Sequence, residues 1–389
     1  MIKTVKLEEL ASVKGGKRLP KGVNLITTPN SHPYIRVRDL NNRHTLELNA
    51  DFEYVDEETQ KNIARYIVDR GDIVLSIVGT IGLVAIVGDS LHHANLTENC
   101  VKLTQLNGVN RDYLYYFLKS ELGQAEIAKG TVGAVQAKLP IKNIQAIEVV
   151  LPSLELQEKI ASILAAIDYK IEANEKINDN LQQQAAALFA NFYDRAETEV
   201  GFTEIIQILG GGTPKTGESS YWNGNVPFFT PKDVGLPYTL ATEKTITEEG
   251  LAHCNSRLYP INTVFVTARG TVGKVGLSGV PMAMNQSCYA LVGKDTHQLL
   301  VYFYTLKAVD RLKHKASGAV FDAITTRDFE SEIISKLSDI DAKAFLDIAE
   351  PIYRAVLSNS IENLRLAALR DSLLPKLMSG EIDVSDIQI

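Results

Sequence analysis

The sequence predicts an α+β protein: two tandem mixed α/β globular domains, each followed by a long helix. Three observations carry this. Residues 153–193 form an amphipathic run with no Gly or Pro. A second amphipathic run, free of Gly but holding Pro351 and Pro375, covers residues 344–378. A Gly-Thr-x-Gly turn flanked by strand-like segments comes before each run, at Gly79–Gly82 and Gly270–Gly273. The expected division is a globule at 1–152, a helical spacer at 153–198, a second globule at 199–340, and a helical spacer with tail at 341–389. Two copies of one unit in one chain predict pseudo-twofold packing, with the helices in an antiparallel coiled coil.

Ser153 followed by Glu155 and Glu158 gives the first helix a capped, acidic start. Ile160, Leu164, Ile167, Ile171, Leu181, Leu188 and Phe192 then recur at 3–4 spacing, the seam of a coiled coil. Asn174 interrupts that seam, where a buried polar residue fixes register. Such a helix would be roughly 60 Å long and needs a partner. The second run supplies one, with Phe345, Ile348, Ile352, Val356, Leu366, Leu369, Leu373 and Leu377. An offset of 185 residues lays Asn174 on Asn359, Ile167 on Ile352, Ile171 on Val356 and Leu188 on Leu373. Pro351 lies inside this pattern and predicts a kink or break.

In the first globule, residues 5–13 lead to a Gly-Gly loop carrying Lys14, Lys17, Arg18 and Lys21. Residues 34–40 alternate and predict a strand with Arg36 and Arg38 on one face. Residues 71–78 and 83–87 read as a hairpin around Gly79-Thr80-Ile81-Gly82. Residues 96–103 read as a further strand, 111–129 as one helix and 147–152 as a last strand. The second globule repeats this order. It has a Gly-rich loop with Thr213 and Lys215, then Tyr221-Trp222-Asn223-Gly224, and Val226-Pro227-Phe228 with Lys232 and Asp233. A strand at 263–267 ends in Arg269-Gly270-Thr271-Val272-Gly273-Lys274, and residues 299–313 supply a helix. Asn285-Gln286-Ser287-Cys288 falls where Thr97-Glu98-Asn99-Cys100 fell. Ser317-Gly318-Ala319-Val320 matches Val132-Gly133-Ala134-Val135.

The net charge is −7, and the acidity belongs to the helical stretches while the globules are near neutral. A plain basic nucleic-acid binder would look different, so any DNA binding rests on local patches or on shared work. No apolar run reaches the ~18 residues of a membrane span. The first residues carry acids and no apolar core, unlike a signal peptide. Cys100, Cys254 and Cys288 lie far apart without CxxC spacing, which points to a reducing compartment, the cytoplasm, and to buried thiols rather than a zinc site.

The chain resembles the specificity subunit of type I restriction–modification systems along nearly its whole length. The resemblance is carried by Gly211-Gly212-Thr213-Pro214-Lys215, the Tyr221–Gly224 stretch, the two Gly-Thr-x-Gly hairpins and Leu151-Pro152-Ser153 with Leu156, Gln157 and Ile160. The tail from Asp371 to Ile382 adds to it. The first globule departs from the pattern, with Gly-Gly-Lys-Arg for Gly-Gly-Thr-Pro and no Tyr-Trp-x-Gly. The resemblance implies two target recognition domains reading a bipartite, asymmetric double-stranded DNA site. It implies two modification (methyltransferase) subunits docked on the helices, and restriction (ATP-dependent translocase and nuclease) subunits joining them. It implies no catalysis and no cofactor in this chain, with S-adenosylmethionine, ATP and Mg in the partner subunits.

The candidate DNA contacts are Lys17, Arg18, Lys21, Arg36, Arg38 and Thr80 in the first globule. In the second they are Thr213, Lys215, Lys232, Arg269, Thr271 and Lys274. Gly-rich turns bring backbone N–H groups to phosphate, and Arg or Lys adds charge or reads guanine. Each has a plainer reading: the turns need Gly for positive φ, and the arginines can pair with Asp39 or another acid. Tyr221 and Trp222 suit packing better than base stacking. The candidate spacer and docking positions are Ile160, Leu164, Ile167, Ile171, Asn174, Leu181, Ile352, Val356, Asn359 and Leu366. The run from Gly210 to Thr216 lacks the Gly before Lys of a phosphate loop, and Pro214 removes a donor. No methyltransferase, nuclease or hydrolase motif stands out. His92-His93 reads as a surface pair without further ligands nearby. A protein-binding coiled-coil scaffold without DNA specificity is the alternative.

Overall fold

A computed structural model of the protein describes residues 3–40, 43–133, 135–235, 237–315 and 323–387. The repeat segment at residues 317–320 lies outside them. The chain forms two compact units: Met1–Ala173 with Leu364–Ile389, and Asn174–Asn363. Both boundaries fall inside the long helices, Leu154–Arg195 and Asp339–Ser379.

The first unit holds a five-stranded sheet in the order Ser12–Gly15, Cys100–Thr104, Ile73–Ser76, Val84–Val87, Thr45–Leu46. All neighbours are antiparallel except the last pair. A three-stranded sheet places Pro33–Ile35 between Glu53–Tyr54, antiparallel, and Asn95–Leu96, parallel. Lys3–Lys6 pairs with Glu148–Leu151 just before the first long helix. Alternation along the strands divides the interior. Ile73, Leu75, Val84, Ile86, Val101 and Leu103 join the helix Arg111–Lys119 and the long-helix residues Ile160 and Leu164. Val74, Ala85, Val87 and Cys100 face the second core with Ile35 and Leu96.

The second unit repeats this topology strand for strand. Its five-stranded order is Ile206–Gly210, Cys288–Gly293, Val264–Thr267, Val275–Ser278, Tyr238–Thr239. Its three-stranded sheet centres on Trp222–Phe229 between Lys244–Ile246 and Ala283–Met284. Thr198–Gly201 pairs with Ile333–Lys336. Its core gathers Phe189, Phe303, Phe345 and Tyr353 around the sheet.

Several local expectations are corrected. Residues 34–40 are not one strand: Pro33–Ile35 is followed by a 3-10 turn, Val37–Asp39. The cause is Asp39, which accepts the Arg36 backbone N–H at 2.8 Å and so ends the extended run. Residues 96–103 switch sheets. Asn95–Leu96 belongs to the smaller sheet and Cys100–Thr104 to the larger, with a turn between closed by the Cys100 N–H on the Thr97 carbonyl at 3.1 Å. The predicted helix at 111–129 is two helices, Arg111–Lys119 and Glu121–Gly130. Ser120 caps the second, and Gly123 sits so close to Phe117 that a Cβ there would lie 2.0 Å from its carbonyl oxygen. The second long helix runs through Pro351 without a break. Losing one ladder hydrogen bond there is offset by Ala349 and Tyr353, which anchor both sides in the core.

The helix seam is also rotated from the predicted stripe. Ile160, Leu164 and Val356 are buried, but Ile167, Ile171, Leu181, Ile352 and Leu366 are only half-buried. The buried face of the first long helix also holds Ala161, Ala165, Asp168, Asn174, Asn178, Ala185 and Phe189. Within the first unit Arg370 Nη1 reaches Asp168 Oδ1 at 2.6 Å, and Tyr116 donates to Asp168 Oδ2 at 2.6 Å. Within the second, Asn174 Nδ2 donates to Asn363 Oδ1 at 2.8 Å, and Asn359 Nδ2 donates to Asn178 Oδ1 at 2.9 Å. The 185-residue offset exchanges these two bonds, so they are one interaction made twice. In the second unit the partners descend from Asn363 to Asn359 on one helix as Asn174 and Asn178 rise on the other, so the helices are antiparallel there.

Candidate nucleic-acid interface

Strand direction decides which loops share a place. In the first unit Gly15 lies opposite Val101, Cys100 opposite Ser76, and Leu75 opposite Val84. The loop leaving Gly15, the loop entering Cys100 and the turn between Ser76 and Val84 therefore emerge from one end of the sheet. Backbone hydrogen bonds join them: Lys17 N–H to the Leu96 carbonyl at 2.8 Å, Thr97 N–H to Ile35 at 3.1 Å, and Ile77 N–H to Asn99 at 2.8 Å. The second unit builds the same end, with Gly212 N–H on Met284 at 3.2 Å, Asn285 N–H on Phe229 at 3.0 Å and Arg269 N–H on Ser287 at 3.2 Å.

Two glycines make this closeness possible. A Cβ on Gly16 would lie 2.0 Å from the Thr97 carbonyl oxygen, and one on Gly211 would lie 2.2 Å from that of Asn285. The hairpin turns are also built alike. Gly79, Gly82, Gly270 and Gly273 all have positive φ. The Ser76 hydroxyl donates to the Thr80 carbonyl at 2.6 Å and accepts the Leu83 N–H at 2.9 Å. Thr267 does the same for Thr271 and Lys274.

The turn after the central strand of the smaller sheet completes the group. Arg36 and Thr230 N–H groups both donate, at 2.8 Å, to the carboxylate three residues on, Asp39 or Asp233. Arg38 thus corresponds to Lys232, an equivalence that sequence comparison missed because it sat beside the unmatched Tyr-Trp segment. Arg36 is bidentate on Asp39 at 2.9 Å and also pairs with Glu53, so it organises the turn. Arg38 is exposed and shares Glu53 at 2.8 Å.

The remaining candidates divide by surroundings. Lys17, Lys21 and Thr80 are exposed at this end, with the Lys17 ammonium 5.5 Å from the Tyr66 ring centre. Arg18 is 80% exposed and its Nε meets Glu98 Oε1 at 2.7 Å. Glu98 is partly buried, which alone would raise its pKa; the bonds from Arg18, its own backbone N–H and Thr97 together outweigh this and hold it below the usual range. Lys232, Arg269 and Thr271 line one cleft of about 460 Å³ with Lys244, Asn285 and Ser287. Lys274 is not among them: it lines a separate cleft beside Asp310 and Lys313. Thr213 donates to Gln286, while Lys215 offers its carbonyl to the Trp222 indole N–H at 3.3 Å. Tyr221 stacks on His253 and Trp222 packs edge-on against Phe228. Lys244, Asn285, Gln286, Ser287 and Glu98 were not singled out from sequence, although the matching Thr97–Cys100 and Asn285–Cys288 segments were the available signal.

The histidine pair has a neighbour that the sequence hid. Asp69 Oδ1 lies 3.7 Å from His92 Nδ1 and from His93 Nε2. Lys102 holds the other Asp69 oxygen at 3.4 Å and Asp72 at 2.8 Å, so an ammonium already balances this cluster. The Cys100 and Cys288 thiols are buried and their pKa values are pushed well up by that burial.

Comparison with known proteins adds four findings. The model of the type I restriction modification DNA specificity domain matches residues 2–183 and 198–336. The type I restriction enzyme MjaIX specificity subunit of Methanocaldococcus jannaschii is 22% identical over 382 residues, covering 91% of this chain and 88% of that protein. The HindI specificity subunit of Haemophilus influenzae is 24% identical over 327 residues, covering 63% of this chain and 71% of that protein. In fold, the crystal structure of a type I restriction-modification system S subunit from M. genitalium aligns with a TM-score of 0.58. It is 16% identical and covers 97% of this chain and 96% of that one.

Proposed function

The chain belongs to the type I restriction–modification DNA specificity family, and from that premise we propose that each unit reads one half of a split, asymmetric double-stranded DNA site. The carrying observation is the doubled sheet end: one backbone framework, built twice, with different exposed side chains on its four loops. Shared framework suits a shared way of meeting the duplex. Different side chains suit different half-sites.

Affinity in this reading comes from local cations. The chain is acidic overall, so long-range attraction to phosphate is weak, and other subunits share the non-specific part of binding. Lys232, Lys244 and Arg269 around one cleft, and Lys17, Arg18, Lys21 and Arg38 in the first unit, supply phosphate and base contacts. The long helices dock two modification (methyltransferase) subunits, and restriction subunits join for cleavage. Tyr169, Ile177, Ile348, Leu364 and Leu369 are exposed apolar residues on those helices and suit such docking. The chain performs no chemistry itself. S-adenosylmethionine belongs to the modification subunits, and ATP with Mg²⁺ to the restriction subunits. No helix among the described residues is long and apolar enough to cross a membrane, and the complex works on DNA in the cytoplasm.

The test is single-molecule methylation sequencing in cells carrying this chain with its modification subunit. The expected result is a two-part motif with methyladenine in both halves. Exchanging residues 1–152 for another such domain changes one half only. Assembly without any split motif would refute the two-reader model and favour a protein scaffold.

A further inference from the structure

The duplication allows a comparison that one domain alone does not. Where both units share backbone, geometry and burial, the residues serve the framework. Where they share backbone but differ in an exposed side-chain pair, the difference is free to carry sequence preference. A pair beside the clamped glycine meets this test. Arg18 and Thr213 both stand two residues after the clamped glycine, Gly16 or Gly211. Each reaches the same partner position, two residues beyond the strand that ends at Leu96 or Met284. There Arg18 Nε donates to Glu98 Oε1 at 2.7 Å, and the Thr213 hydroxyl donates to Gln286 Oε1.

The two pairs offer different chemistry at one place. In the first unit Thr97 donates to Glu98 Oε2 at 3.1 Å, fixing the carboxylate from its second side. The guanidinium engages Glu98 through Nε, and its Nη groups make no hydrogen bond to the described residues. A donor fork thus stands beside an acceptor-only carboxylate. In the second unit Gln286 keeps its NH₂ donors and the second lone pair of Oε1. An arginine fork matches guanine O6 and N7, a carboxylate takes the N4 amino group of cytosine, and a carboxamide matches adenine N6 and N7.

Resting on the proposed reading of split DNA sites, we propose that positions 18/98 and 213/286 are equivalent specificity pairs. Arg18 and Glu98 read a G·C base pair in the half-site of the first unit, and Gln286, oriented by Thr213, reads an A·T pair in the other. The experiment exchanges the chemistry between units. Methylation motifs are mapped in cells for the wild-type chain, R18T/E98Q and T213R/Q286E, each with the modification subunit. R18T/E98Q is expected to relax or convert one G·C position in one half-site only. T213R/Q286E is expected to do so at one A·T position in the other half. Methylation that persists at an unchanged motif in both variants overturns the assignment. Where a variant abolishes methylation in cells, the purified complex is titrated with duplexes substituted at each base pair in turn. Discrimination at one position is then expected to fall by about tenfold, and unaltered discrimination at every position overturns the assignment. A wild-type complex without a split motif would instead refute the two-reader model beneath it.

Discussion

Replacing Asp168 with alanine removes a buried anion that two elements share. Its side chain is 4% exposed, and that of its partner Arg370 is 15% exposed. Arg370 Nη1 and the Tyr116 hydroxyl each lie 2.6 Å from it. Removing one partner of a buried pair costs about 3–5 kcal/mol, because the remaining charge loses its compensation. Asp371 stays 2.8 Å from the guanidinium but is exposed, which brings that figure to the lower end. The orphaned Tyr116 hydroxyl adds roughly 1 kcal/mol. The expected loss is therefore about 4 kcal/mol. At about 2–4 °C per kcal/mol for a unit of this size, the melting temperature falls by about 10 °C. Urea unfolding of the full chain, followed by far-ultraviolet circular dichroism, measures it. D168A, R370A and the double variant form a cycle whose coupling is expected to exceed roughly 2 kcal/mol. D168L/R370M, which replaces the pair by apolar groups, is expected within about 1 kcal/mol of wild type or above it. A D168A chain that loses less than about 1 kcal/mol would refute the claim that this contact is desolvated.

Three further outcomes are expected. Asp112 is held below its ordinary carboxyl range: burial works against the charged form, but bonds from His44 and Arg111 outweigh it. A depressed folded-state pKa gives stability that is complete above about pH 4 and lost as pH falls through the folded value, so the stability gap between wild type and D112N should close on acidification below that pH. A gap that stays constant down to pH 2 would contradict this. The buried thiols of Cys100 and Cys288 should resist a thiol reagent such as Ellman's until unfolding, leaving Cys254 as the one that reacts in the native chain. Finally, N178L leaves the Asn359 amide without its acceptor and should cost about 1–3 kcal/mol by urea titration. Converting Asn174, Asn178, Asn359 and Asn363 together to leucine should restore that stability but yield mixed oligomers by light scattering, since the polar pairs select register.

Periodicity made the large features legible. The two helices, the hairpins and the order of strands follow from apolar spacing and paired glycines, which act locally. What stayed hidden depends on partners distant in sequence. The helix stripe was read from Ile and Leu, but the seam is set by Asp168, Asn174 and Asn178, whose burial is tolerated only because Arg370, Asn363 and Asn359 answer them across the pair. Apolar pattern cannot announce a polar residue satisfied by another helix. The strand at 96–103 broke at Thr97 because its N–H goes to Ile35, some sixty residues back. Arg36 left the predicted strand because Asp39, three residues on, captured it, and Glu53 completed the cage.

The candidate interface was legible as a set of loops and not as a set of roles, and the reason is general to duplicated chains. Sequence alignment of the two halves weighs identity, so it set Gly15-Gly16 on Gly211-Gly212, one residue out of register with the clamped Gly16 and Gly211, and lost register wherever the loops diverged. Structure weighs position, so Arg38 falls on Lys232 and Arg18 on Thr213 although no identity links them. A framework position tolerates little change, because a Cβ at Gly16 or Gly211 would meet backbone. An exposed position one turn away tolerates any side chain that water accepts. Divergence between two copies of one fold is therefore concentrated where the backbone imposes nothing. In a chain whose copies must read different sequences, unconstrained positions at a shared sheet end are free to differ without loss of the fold, and the Arg18–Glu98 and Thr213–Gln286 pairs occupy such positions.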